Sequence, residues 1–220
     1  MEPRSFLGGL GKHLCIAMQF ALVLLATGAC QQYARITWES PQPAGGEEKT
    51  PLAVADLSLL KLQGQAWDEG RPQNTNGRHT WTVFALPGAF LYAHDETPIK
   101  ESFDKALREA VAAAGYELVD VAQAPQNGPV LRGEVNACWW WSYVWLWPFV
   151  VEGGENKVTL FLEDRGGNVL WKKQFSRIEP GLPIGGAYAF DLMIKWSMTK
   201  LLSDVVESCA SPEFRAHLPP

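Results

Sequence analysis

The 220-residue chain predicts an α+β fold: a two-layer α/β sandwich, with a mixed or antiparallel sheet of five to six strands and two amphipathic helices on one face. Three observations carry this. Residues 97–115 and 187–209 repeat their apolar side chains at three and four, which is helical spacing. Residues 157–175 form a β-prone pair around Asp164-Arg165-Gly166-Gly167-Asn168, a turn whose glycines accept positive φ. Between them Cys138–Val151 alternates strictly, placing Trp139, Trp141, Tyr143, Trp145, Trp147 and Phe149 on one side.

The elements follow in order. Ala53–Leu62 reads as a strand, and Trp67–Arg78 as a polar loop rich in turn formers. Trp81–Leu86 is β-prone and stops at Pro87-Gly88. Thr97 suits the N-cap of the first helix, Pro98 its first position, and Gly115 its left-handed end. The stripe of Ile99, Phe103, Ala106, Leu107, Ala110, Val111 and Ala114 faces the core; the charged side chains between them form a solvated face. Tyr116–Val121 is a third strand. The run from Val130 to Val151 exceeds a usual strand, so it either bends near Gly133 or Cys138 or is two strands turning near Trp140–Ser142. The 157–175 hairpin and the helix from Ala187 to Cys209 close the domain.

The aromatic ladder has two readings. It packs against the helices as half the core, or part of it meets lipid or an apolar ligand. A strand from Trp139 to Phe149 outreaches two helices laid side by side, so one end is expected to protrude.

The N-terminus gives the address. Arg4 and Lys12 precede an apolar run, Leu14–Ala26, and then the small residues Thr27-Gly28-Ala29 before Cys30. A basic start, a short apolar stretch and a small-residue site make a secretory signal peptide over residues 1–29. The apolar run is shorter than the about 20 residues a membrane-spanning helix needs. Thr27-Gly28-Ala29-Cys30 resembles the lipobox of bacterial lipoproteins, with Thr27 where that family usually has Leu. The resemblance implies lipidation of Cys30 and, with Gln31 in place of Asp after it, the periplasmic face of the outer membrane. Cleavage without lipidation near Ala29 and an uncleaved anchor helix are the alternatives. Residues 30–51 then read as a flexible tether, 52–209 as one domain, and 210–220 as a loose tail.

The formal net charge of −5, without any basic stripe, excludes nucleic acid as a partner. Cys138 and Cys209 are the two cysteines left after Cys15 and Cys30, and in an oxidising compartment they suggest a disulfide. Two separate buried thiols are the alternative.

No catalytic, metal or cofactor site stands out. His79, His94 and His217 are scattered, and His94-Asp95-Glu96 has no partner histidine. Ser142 and Ser176 lack a nucleophile-elbow context, and Gly185-Gly186 suits a cap better than a phosphate loop.

The Thr97–Gly115 helix leading to Tyr116, the Gly166-Gly167 hairpin, the terminal helix and the lipobox together resemble small periplasmic lipoproteins of the YajG and LptE kind, with a TolB-N-terminal-like fold. That resemblance implies a non-enzymatic outer-membrane lipoprotein that assists or stabilises an envelope complex, partnered by the membrane and another envelope protein. A carrier whose ladder lines an apolar groove is the alternative function.

Overall fold

A computed structural model describes residues 32–44, 49–61, 75–81, 86–93, 95–124, 128–146, 149–180 and 187–219, of which 32–33, 75–81, 86–93, 141–146, 149–152, 180 and 187–190 are described by backbone alone. In chain order the elements are β1 (Gln32–Ala34), β2 (Thr50–Val54), β3 (Leu59–Leu60), β4 (Thr75–Trp81), β5 (Leu86–Ala93), α1 (Ile99–Ala113), β6 (Tyr116–Asp120), β7 (Val130–Leu146), β8 (Phe149–Glu163), β9 (Val169–Pro180), α2 (Ala187–Ala210) and α3 (Pro212–Arg215).

β7 is the spine of one mixed sheet. Along one edge it pairs antiparallel with β8, which pairs antiparallel with β9. Along the other it pairs in parallel with β2, then β3, then β4. β2 carries β6 beyond it, while β4 carries β5 and β5 carries β1. A row across the lower sheet therefore crosses five strands, through Trp171, Leu162, Leu131, Val54 and Asp120. A row across the upper sheet crosses six, through Glu179, Gly154, Trp140, Gly77, Leu91 and Gln32. This is the predicted α+β sandwich with its five-to-six-strand sheet.

The core lies between the sheet and the two main helices. α1 buries Ile99, Phe103, Ala106, Leu107, Ala110 and Val111, the stripe read from its spacing, and ends at Gly115 with φ +102°. α2 buries Met193, Ile194, Met198, Leu201, Leu202 and Val205. The firmest predicted hairpin is β8–β9, with Gly167 at φ +82° in its turn.

Several expectations need correction. The long apolar run is two strands, and it turns after Leu146 instead of near Trp140–Ser142. The strand expected over 53–62 is broken between β2 and β3 by Asp56, whose carboxylate accepts hydrogen bonds from the backbone N–H (2.9 Å) and hydroxyl (3.2 Å) of Ser58. The break is packed onto Gly133: its N–H donates to the Asp56 carbonyl at 3.0 Å, and a Cβ there would come within 2.2 Å of the Leu57 carbonyl oxygen. The polar loop expected over 67–78 already contains the start of β4 at Thr75, where pairing with β5, and with β7 from Gly77, overrides the weak strand propensity of Asn76 and Gly77. Thr97 does not cap α1. Pro98 occupies that position, and the Thr97 hydroxyl accepts from the Ile36 N–H at 3.2 Å.

The tether and the tail are also packed. Ala34 and Ile36 are fully buried, and Trp38 donates its indole N–H to Glu109 of α1 at 2.7 Å. The backbone N–H of Arg35 donates to Asp191 (2.7 Å), that of Glu39 to Thr199 (3.0 Å), and that of Ala44 to the Ala113 carbonyl (2.9 Å), so the segment straps α1 to α2. At the other terminus Phe214 is fully buried, edge-on to Trp171 and Tyr116 at 4.9 and 5.7 Å. Sequence periodicity leaves both segments loose, because one or two anchoring side chains make no periodic pattern.

Candidate functional site

The aromatic stretch folds as the upper half of β7, and one irregularity decides which residues face the helices. Below it, Leu131 and Val135 point into the core; the pairing register with β8 then shifts between Val135 and Ala137, and above it Cys138 and Trp140 do so. Trp140 is fully buried, whereas Trp139 is half-buried on the face turned away from the helices. Of the two readings of the ladder, the one that packs its Trp139 side against the helices is not met at Trp139, because a bulge exchanges the two faces. The backbones of Trp141, Tyr143 and Trp145 continue β7 and that of Phe149 opens β8; their side chains, and Trp147 entirely, lie outside the described residues.

Trp140 faces Gly154 across the β7–β8 ladder, and a Cβ at Gly154 would come within 2.1 Å of the indole Cε3. One step down, Cys138, Asn156 and Arg177 are cross-strand neighbours on β7, β8 and β9. Asn156 is fully buried and donates to the Ser197 hydroxyl of α2 at 3.2 Å, which donates to the Arg177 carbonyl at 3.5 Å. The Arg177 guanidinium pairs with Asp204 about two turns further along α2. Among the described residues, three buried side-chain polar atoms lack a hydrogen-bond partner, and all lie in this patch: Trp140 Nε1, Asn156 Oδ1 and Arg177 Nε. Each such atom costs about 1–3 kcal/mol. Sequence reasoning missed Trp140, Gly154 and Asn156; the available signal was Gly153-Gly154 inside a strand, which marks a close approach.

The patch can hold hydrogen bonds but offers no nucleophile. Burial pushes the Cys138 thiol up to about 12, against a smaller opposing pull from the neighbouring Trp140 indole. Cys209 is likewise pushed up to about 12 by burial, with Lys173 pulling it down slightly. Both cysteines are free, so the expected disulfide is absent. Its geometry rules it out: Cys138 is level with Asn156 and hence with Ser197, and the helix from Ser197 to Cys209 rises about 18 Å at 1.5 Å per residue. A disulfide needs Cα atoms within about 7 Å.

The remaining candidates are not brought together. Cys30 and His94 lie outside the described residues, His79 is a backbone position in β4, and His217 is exposed near the C-terminus. Ser142 is a backbone position in β7, and Ser176 donates to Glu155 at 2.9 Å on the exposed sheet face. Among the described residues no three metal-ligating side chains cluster, and no helix is long and apolar enough to cross a membrane. A hollow between Leu59, Arg132, Phe161 and Val169 holds about 270 Å³, below the roughly 300–1,000 Å³ of a small-molecule site.

No family model and no curated protein matches the chain. Among solved structures it is similar to protein XCC0632 from Xanthomonas campestris, of family DUF330, with a TM-score of 0.50 and 11% identity over 80% of this chain and 92% of that one. A Helicobacter pylori protein described as a neuraminyllactose-binding hemagglutinin homolog gives 0.43 and 11%, over 83% and 96%. A PelC dodecamer from Paraburkholderia phytofirmans gives 0.30 and 18%, over 72% and 92%. The first is a likeness of fold.

Proposed function

We propose that this chain is a non-enzymatic lipoprotein, anchored through Cys30 to the periplasmic face of the outer membrane, that assists or stabilises an envelope complex by contact with another envelope protein. The observation that carries this reading is where the folded body begins. β1 starts at Gln32, two residues after Cys30. Cleavage between Ala29 and Cys30 would remove the basic and apolar leader and leave every described element intact.

A partner contact is supported by the free edge of the sheet. Among the described residues β9 pairs only with β8, and it exposes Ile178 to 70% and Val169 to 51%.

The anchor is tested by labelling cells with palmitate and fractionating them. The wild-type chain is expected in the membrane fraction, labelled, and Cys30→Ala unprocessed and unlabelled. A Cys30→Ala chain that is cleaved normally and released as a soluble protein overturns the reading. Photo-cross-linking from position 178 in intact cells then identifies the chain that covers β9.

A further inference from the structure

Strand register places an uncharged cap at one end of the sheet. The tip row is Leu146–Phe149, followed by Val150–Val144–Trp81–Leu86 and then Val151–Tyr143–Thr80–Pro87. The first acidic or basic residues come in the next row, Glu152–Ser142–His79, and then Arg78 beside Trp141. In a chain with 20% charged residues, these upper three rows carry none. At 3.3 Å per residue they form a cap roughly 10 Å deep. The opposite end of the sheet, by contrast, turns at Glu163, Asp164 and Arg165.

The helices do not reach the cap. Ser197 of α2 is level with Asn156 and so with Cys138 of β7. From Ser197 back to Ala187, α2 rises about 15 Å. From Cys138 to Val144, β7 climbs about 20 Å. The row of Val144 and Trp81 therefore stands roughly 5 Å beyond α2.

The N-terminus enters from the same end. β1 runs parallel to β5, which descends from the cap at Leu86 to Ala93. Cys30 precedes Gln32 by two residues, which span at most about 7 Å. An anchor this short holds the body against the bilayer, and the uncharged cap is the end it presents.

We infer that the cap, with Trp81, Tyr143 and Val150 at its centre, rests in the headgroup region of the bilayer that carries the Cys30 anchor. This inference rests on the lipid-anchor reading. Tyr and Trp concentrate at membrane interfaces because each joins an apolar body to a polar atom. A face that settles there reaches about 5–10 Å deep, which matches the cap.

The test uses full-length lipidated protein on phosphatidylethanolamine–phosphatidylglycerol vesicles. A nitroxide is attached at position 150 (Val150→Cys) or, for comparison, at Ile178→Cys in the charged part of the sheet. Cys138 and Cys209 are buried and Cys30 is acylated, so labelling is selective. The label at 150 is expected to meet oxygen several-fold more readily than a water-soluble nickel chelate, and the label at 178 the reverse. Tryptophan emission of the unsubstituted protein, which needs no variant, should fall when the acyl chains are brominated. Protein that floats with the vesicles but keeps position 150 open to the chelate and its emission unchanged overturns the cap contact alone. Protein that does not float overturns the anchor, and the inference with it. A label at 150 shielded from both quenchers and spin-coupled to a second copy makes the cap a self-interface, which also overturns it.

Discussion

Trp140 and Gly154 pair across β7 and β8 so closely that a Cβ on Gly154 would lie 2.1 Å from Cε3 and 2.3 Å from Cδ2 of the indole. The ring is fully buried under the helices, and Gly154 supplies the space it occupies. The pair fixes which face of β7 is the core.

Gly154→Ala should therefore cost about 1–3 kcal/mol or more, because the methyl meets a ring that has nowhere to move. Gly166→Ala, whose Cβ would first meet the flexible Asp164 carboxylate at 3.2 Å, should cost far less. Denaturant midpoints decide, and equal losses would refute the close packing. Trp140→Leu should restore part of the stability of Gly154→Ala, with a coupling of about 0.5–3 kcal/mol in a double-mutant cycle.

The strap across α1 and α2 predicts that Ile36→Ala lowers stability by about 2–4 kcal/mol, the ordinary cost of emptying a buried aliphatic site. Gln42→Ala, at an exposed position of the same segment, should be neutral. A flexible tether would make both neutral.

Phe214→Ala should cost about 3–5 kcal/mol, although it lies six residues from the C-terminus, because it removes the ring wedged against Tyr116 and Trp171. A truncation after Ala210 that melts like the intact chain would show the tail to be dispensable.

The two buried thiols give the molecule an alkaline liability. Their ordinary value is 9.0 and the folded chain holds both near 12. Between those pH values the unfolded state has released protons that the folded state keeps. The stability is complete below pH 9 and falls as pH rises toward 12, by about 1.4 kcal/mol per unit for each thiol. Replacing Cys138 with Ala should flatten the decline between pH 9 and 10, and a decline identical to wild type would refute the assignment. Melting temperatures with and without reductant should agree, since no disulfide is present.

Local periodicity by itself determined the helices, the Gly115 end of α1, the β8–β9 turn and the α+β class, because these depend on residues within a few positions of one another. It placed aromatic side chains on the two faces of a strand but could not say which face was buried. A one-residue bulge near Asn136 reverses the positions from there to Val144, where the register shifts again, and only pairing with β8 reveals it. The strap from Gln32 to Ala44 and the Phe214 plug were equally invisible, since each is held by contacts distant in sequence and not by any repeat of its own. The split of β7 between β2 and β4, which leaves the uncharged end of the sheet beyond the helices, was likewise decided by tertiary pairing, because register and not composition sets which residues share a row.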